Sequence, residues 1–244
     1  MGGTLAGIQP GYLPWLGFFD MMSQADVFLV ADELAFSSSG WAHRNRVRGP
    51  EGANWLTLPA RPAPNQPIVE VPLDADSPWA RKHMKSLRHF YRRSSHAAEI
   101  LDRLESVLDP RAARIVDVSV PVLRAMAELL GIDTPILISS ELALEAGYRQ
   151  RFPEQPSPTH RIVSYMEALG ADRLIEGATG RSYLDVDLCS HHGIDVVFHD
   201  YDHPIYTQLH QPFISHLSAI DLLLCEGVAG TREVIQQRPA RAAS

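Results

Sequence analysis

The densest chemistry in this chain lies in His199-Asp200-Tyr201-Asp202-His203-Pro204-Ile205-Tyr206-Thr207-Gln208. Six of the 11 histidines fall between His191 and His216. Imidazole titrates near neutral pH, so a histidine held in one orientation can take and return a proton. His203 is the best candidate for that general acid or base, because Pro204 stiffens the backbone beside it. A metal reading would use Asp200 or Asp202 with His199 and His203, which share a face in extended chain. No HExxH and no Cys/His zinc spacing accompanies them, and no metal is assigned. His191 and His192, at a helix end, read as surface residues.

A second group is built for anions. In His43-Arg44-Asn45-Arg46 the guanidinium forks suit carboxylate or phosphate, and Asn adds a donor and an acceptor. In a strand Arg44 and Arg46 share one face, and His43 and Asn45 the other. Two readings stand: a solvated turn with Trp41 packed beneath it, or a substrate site. Further candidates are Ser139 and Glu141 in Ser139-Ser140-Glu141, and Arg181 and Tyr183 in the glycine-flanked turn Glu176-Gly177-Ala178-Thr179-Gly180-Arg181-Ser182-Tyr183. That turn could cradle a phosphate or carboxylate, although it lacks the GxxxxGK[ST] and GxGxxG spacings. Asp221 stands in an apolar setting and needs a partner there, to hold His203 or an Arg, or to cap a loop. Cys225, with no paired base, reads as packing.

These groups need elements to position them. Ile8-Gln9-Pro10-Gly11-Tyr12-Leu13-Pro14-Trp15-Leu16-Gly17-Phe18-Phe19 reads as a strand, a Pro/Gly-rich aromatic loop and a helix through Met21 and Met22. Val27-Phe28-Leu29-Val30 follows as a strand ending on Asp32, which completes a βαβ unit. Ligands of parallel sheets bind beyond the carboxyl ends of strands, where Gln9, Tyr12 and Asp32 would stand. The run 43–48 and Asn54–Pro59 form a hairpin, and residues 60–78 a proline-rich loop. A basic helix starts at Ser77-Pro78-Trp79, carries Lys82 and His83 near its first turn, and continues to Leu104.

Later segments alternate regularly. Ser119 caps a helix with Pro121 in its first turn and Gly131 at its end, and Pro135–Ile138 is a strand. Residues 143–158 form a loop or broken helix, with Gly147, Pro153, Pro156 and Pro158 as breakers. A helix from Thr159 to Leu169 leads to the strand at Leu174-Ile175. A short helix over Leu184–His192 leads to the strand Ile194–Phe198. An amphipathic helix runs from Phe213 to Leu224, and a last one from Thr231 to Gln237. The expectation is an α/β, Rossmann-like layered fold with a mostly parallel sheet and an inserted helical and loop segment around 60–115.

Composition narrows the function classes. With 244 residues, 45% hydrophobic and 21% charged, the chain reads as one soluble domain over 1–240 with a frayed tail at 241–244. A net charge of −7 gives no footprint for general nucleic-acid binding. No apolar stretch approaches the roughly 20 residues of a membrane span. Cys189 and Cys225 cannot build a disulfide framework, and Met1-Gly2-Gly3-Thr4 lacks a secretion signal, so a cytoplasmic location is expected.

Taken together, the stretches resemble the WbqC-like family over nearly the whole chain. The likeness is carried by Ile8–Pro14 with Gly17, Ala25-Asp26, Asp32, Trp41 with His43–Arg46, and Trp79 with Lys82-His83. It continues through Ser139–Glu141, Gly180-Arg181 with Tyr183-Leu184-Asp185, Tyr201 with His203–Tyr206 and Gln208, and Leu217-Ser218 with Asp221-Leu222-Leu223. The family is similar to products of O-antigen, capsule and natural-product clusters, which implies sugar or small-molecule chemistry but no particular reaction. Ile8 to Val30 also resembles the layout of the HxGH nucleotidylyltransferases, with Ser139-Ser140 like their serine pair. Only Gly17 matches the motif itself; Trp15 and Phe18 stand at its histidines.

The expected site has His203, Asp221, His43 and His83 as catalytic groups. Gln9, Tyr12, Asp32, Arg44, Asn45, Arg46, Ser139, Glu141, Arg181, Tyr183, Tyr206 and Gln208 would bind substrate, with Arg44, Arg46 and Arg181 on its anionic part. Such a set suits acyl or aminoacyl transfer to an amine or hydroxyl of an activated small molecule or nucleotide sugar. The alternatives are a nucleotide-dependent ligase or nucleotidyltransferase, and a non-catalytic binder of a sugar or carrier protein. No cofactor is identified. The partner is a small molecule, free or linked to a nucleotide or carrier protein, and a homodimer is compatible with the sequence.

Overall fold

The computed structural model describes residues 2–154 and 157–236. In chain order its elements are β1 (Gly3–Ile8), α1 (Leu16–Ser23), β2 (Val27–Val30), β3 (Arg44–Gly49), β4 (Gly52–Thr57), α2 (Trp79–Phe90) and α3 (Ala97–Glu105). They continue with α4 (Val116–Leu130), β5 (Ile136–Ile138), α5 (Leu144–Arg151), α6 (Pro158–Ala168), β6 (Ala171–Gly177), α7 (Val186–His191), β7 (Asp195–His199) and α8 (Ala219–Gln236). Pro156, Gln237 and the tail at 241–244 lie outside the described residues.

β1, β2, β5, β6 and β7 form one sheet in the order β5-β2-β1-β6-β7, and every pairing in it is parallel. This is the expected α/β, Rossmann-like architecture. The chain builds outward from β1 to β2 and β5, then crosses to β6 and β7 on the other side. The loops after β1 and β6 therefore diverge and open a crevice at the carboxyl ends, the usual ligand position in such sheets. β3 and β4 form a separate antiparallel hairpin.

One apolar cluster joins the sheet's β1–β2 side to the hairpin, α2, α3, α4 and α8, through Phe28, Leu56, Leu87, Ile100, Leu123 and Leu223. Residues 60–115 thus interrupt the sheet order but share its core. A second cluster, with Leu5, Leu29, Val163, Met166 and Cys189, packs α5, α6 and α7 against the other face. Each buried side chain of this size contributes about 1.5–3 kcal/mol relative to exposure. Among the described residues no helix is long and apolar enough to cross a membrane.

Five local expectations are corrected. The basic helix stops at Phe90, because Tyr91 is drawn inward to Asp221 and the Ser94 hydroxyl bonds the Leu224 carbonyl; α3 restarts at Ala97. α4 begins three residues before Ser119, since the Asp117 carboxylate accepts from the Arg114 N–H at 2.9 Å and closes the first turn there. Residues 143–158 contain a true helix, α5, on which Glu145 meets Arg149 one turn on. Residues 213–218 are not helical. Their backbone is used elsewhere: Ile214 N and O both bond the Gln208 amide, and Ser218 N donates to the Arg46 carbonyl at 2.8 Å. Thr231 falls inside α8, which is interrupted earlier, at Gly227, where φ is 69°.

Candidate functional site

The β1–α1 loop is the centre of the rim. Asn45 Nδ2 donates to the Leu13 carbonyl at 2.7 Å, and Tyr12 N donates to the Trp41 carbonyl at 3.1 Å, which stitches the loop to the hairpin. Ala219 N donates to the Pro14 carbonyl at 2.8 Å and ties the loop to the start of α8. Gln9 opens this loop half-buried. At its end Trp15 lies over the first turn of α1, where a Cβ at Gly17 would collide with the indole. Glycine at 17 is therefore required by a close approach.

Several expected site residues are brought together, though not all in one place. Tyr12 Oη and His83 Nδ1 are hydrogen-bonded at 2.9 Å in a buried setting. Burial lowers His83 from 6.5 to about 4, against the raising effect of a hydrogen bond to the Thr57 backbone. The ring is neutral at physiological pH and braces the loop against α2. Asp32, 1% exposed, accepts from Ser139 Oγ at 2.9 Å, Ser140 N at 3.0 Å and Ser140 Oγ at 2.7 Å. That carboxylate locks the ends of β2 and β5 together. Glu141, on the next turn, is exposed.

Asp221 is fully buried beneath the rim. It accepts from Tyr91 Oη, from Tyr206 Oη at 2.7 Å and from Gln208 Nε2 at 2.9 Å. Burial raises its pKa, opposed by these donors. The ring of Tyr206, one of its donors, lies 6.1 Å from the His203 imidazole. His203 Nδ1 is 2.8 Å from the Pro204 carbonyl. Around it lie His216 at 4.9 Å, Tyr201 at 6.0 Å and Phe213 at 6.1 Å between ring centroids, and Trp15 stacks on His216 at 5.5 Å. The histidine segment thus sits against the end of the β1–α1 loop.

The basic residues separate into two places. Arg181 makes a two-pronged pair with Asp200 at 2.8 Å and 2.8 Å and lies over Phe198, on the β6–β7 side of the sheet. Beside it Tyr183 Oη donates to Glu176 at 3.0 Å; burial raises the Glu176 pKa. Arg44 and Arg46 stand instead on the hairpin. Arg44 lies 4.6 Å from the Trp55 ring and donates to the Ser39 carbonyl at 3.1 Å. Arg46 lies 5.9 Å from Trp41 and 5.6 Å from Trp55. His43 turns inward beside Phe36, its Nδ1 without a hydrogen-bond partner among the described residues, and burial followed by the Arg44 charge lowers its pKa.

Sequence reasoning passed over three features. His199 Nε2 meets Asp20 at 2.6 Å, a pair 179 positions apart with no local signal beyond the position of His199 at the end of β7. Tyr91 and Arg48 serve the Asp221 region: the Arg48 N–H donates to Tyr91 Oη at 3.0 Å, and its guanidinium bonds the Gly49 and Pro212 carbonyls. Trp55 forms an exposed pair with Trp41. A groove of about 820 Å³ runs along α1, lined by Asp20, Arg124, Glu128, Asp133, Tyr201 and Arg232. It contains none of the expected site residues, and Asp20 and Glu128 are already paired, with His199 and Arg103. The strand-end rim is the better candidate on chemical grounds.

Residues 9–233 match the model of the WbqC-like protein family, a span that holds the β1–α1 loop, the hairpin and the histidine segment. The chain is also 29% identical over 227 residues to the uncharacterized protein Rv1507c of Mycobacterium tuberculosis (strain ATCC 25618 / H37Rv), covering 91% of this chain and 94% of that one. A match of this extent, on a parallel sheet with its loops gathered at one rim, makes this chain a member of the WbqC-like family.

Proposed function

We propose that this protein is a small-molecule group-transfer enzyme, acting at the rim over the β1/β6 crossing with His203 as its proton-transferring base. The observation that carries the reading is the tautomer of His203. Its Nδ1 is 2.8 Å from the Pro204 carbonyl, and a carbonyl can only accept. The neutral ring therefore holds its proton on Nδ1, which makes Nε2 the basic nitrogen. Nε2 is buried in the free protein, so in the step substrate entry first uncovers it, and a substrate amine or hydroxyl then gives its proton to Nε2 as its lone pair bonds the acyl or aminoacyl carbon. The leaving group departs with the electrons of its own bond and recovers a proton from the imidazolium. Tyr206 and Asp221 act from below as positioning residues, since Asp221 has no exposed surface.

Support for an activated, nucleotide-linked or carrier-linked substrate comes from the crossing itself, where nucleotides commonly lie in doubly wound sheets. The same feature favours the second reading, a nucleotide-dependent ligase or nucleotidyltransferase. Thermal shifts across coenzyme A thioesters, amino acids, nucleotide sugars, and nucleoside triphosphates with divalent metal, followed by mass detection of products, test the assignment. A responsive thioester, amino acid or nucleotide sugar, with turnover falling about 100- to 10,000-fold in His203→Ala and binding retained, is the expected outcome. Response to triphosphate plus metal alone would select the second reading. Unchanged turnover in His203→Ala would remove the base, and binding with no product would leave a binding protein.

A further inference from the structure

We propose that the Trp41–Trp55 face of the β3–β4 hairpin binds the nucleoside phosphate portion of a ligand, with the base stacked on the indoles and the phosphate held by Arg44 and Arg46. Trp41 and Trp55 are each 48% exposed and stack on one another, with ring centroids 5.5 Å apart and 27° between planes. Large aromatic surfaces are normally withdrawn from water, so an exposed, ordered pair marks a surface meant to be covered.

The pair is rigidly framed. Trp55 lies directly across from Arg46 in the antiparallel ladder, and the Trp41 carbonyl is held by Tyr12 N. A platform held by backbone pairing can take a ring without reorganising, which limits the entropy lost on binding.

Charge selects the ligand class. Both guanidiniums lie against the indoles, and among the described residues neither is ion-paired to a carboxylate. Arg44 spends its donors on the neutral carbonyls of Ser39 and Gly40. Arg46 Nε is buried with no hydrogen-bond partner among the described residues. The chain carries net charge −7, so two uncompensated positive charges beside flat rings are a local exception. A flat ring joined to an anion complements that surface: bases stack on tryptophan and arginine faces, and guanidinium forks match phosphate. The hairpin is bonded to the β1–α1 loop, so a nucleoside phosphate seated there would direct its attached group toward the rim.

The inference rests on the reading above only for that last step, and binding alone tests it. Intrinsic tryptophan fluorescence and calorimetry on the full chain would use AMP and UMP, with ribose 5-phosphate and inorganic phosphate as probes lacking a base. Expected are quenching by both nucleotides and affinities about tenfold or more above ribose 5-phosphate, from base–aromatic stacking. Trp55→Ala should weaken AMP about tenfold while Trp55→Phe restores most of the loss. Arg46→Gln should weaken AMP but not adenosine, and should reduce the salt dependence of AMP binding. No binding of either nucleotide, equal affinity for ribose 5-phosphate, or unchanged AMP affinity in both Trp55→Ala and Arg46→Gln would overturn the proposal. Nucleotide bound equally by wild type and His203→Ala, with no turnover on any substrate, would defeat the transferase reading and leave this one standing. Turnover on nucleotide-free substrates without nucleotide binding would do the reverse.

Discussion

Arg46 and Arg48 stand two residues apart on β3 and belong to opposite kinds of site. Arg48 is 1% exposed, and its guanidinium and main chain serve Gly49, Pro212 and Tyr91, beside the Asp221 carboxylate and its Tyr206 and Gln208 donors. Arg46 meets exposed indoles and no carboxylate among the described residues. Both settings combine arginine with aromatic rings. Where the polar groups have found one another inside the protein, the assembly holds the fold; where charge and ring face water unanswered, the assembly is left for a ligand. Burial of the whole guanidinium and carbonyl partners for both of its terminal nitrogens, rather than residue type, mark Arg48 off; the Nε of each arginine is buried without a hydrogen-bond partner among the described residues.

The comparison breaks most readily at Asp221. Replacing it with Ala strands the hydroxyls of Tyr91 and Tyr206 and the amide of Gln208 in a dry interior, and should lower unfolding free energy by about 3 kcal/mol or more. Urea denaturation reads this directly, and a loss under about 1 kcal/mol would mean that the network is not structural.

His83 supplies a test of similar size through pH. Its pKa falls from 6.5 in the unfolded chain to about 4 in the fold, mainly by burial. A depressed pKa gives stability that is full above 6.5 and drains away as pH falls through 4, on the order of 3 kcal/mol in all. Asp221, with a raised pKa, acts in the opposite sense, contributing stability at low pH that fades as pH rises past 3.8. Comparing wild type with His83→Gln therefore isolates the histidine: the variant should lose stability less steeply between pH 6.5 and 4. Parallel curves would show that His83 does not titrate as a buried strut.

The smallest effect is expected on the open side. Trp41→Ala and Trp55→Ala should change stability by less than about 1 kcal/mol, since each indole is half in water and packs on its partner and on the hairpin arginines. A drop comparable to Asp221→Ala would make the platform part of the core and remove its contrast with Arg48.

Much of the fold was legible. Val27–Val30 and the run ending at Ile138 announce strands because buried parallel strands read as continuous β-branched and aliphatic runs. The irregular backbone at 213–218 was not legible. Its apolar spacing suits a helix, but the partners of its main chain, Arg46 and Gln208, are identified only once the hairpin and the histidine segment pack together. For the site, the residue types of His43–Arg46 and His199–Gln208 stood out by composition alone. Their allegiances did not: Arg181 goes to Asp200 rather than to the hairpin arginines, and Asp221 goes to two tyrosines rather than to His203 directly.

By itself the sequence determined the layered α/β class, the strand ends that carry polar residues, and family membership, because these follow from local periodicity and short motifs. Only the tertiary structure decided the order β5-β2-β1-β6-β7, the pairing of His199 with Asp20, and which arginines meet a carboxylate, as Arg181 does at Asp200. Those depend on contacts between residues far apart in the chain, and long-range partners are selected by how whole faces pack, which no local spacing encodes.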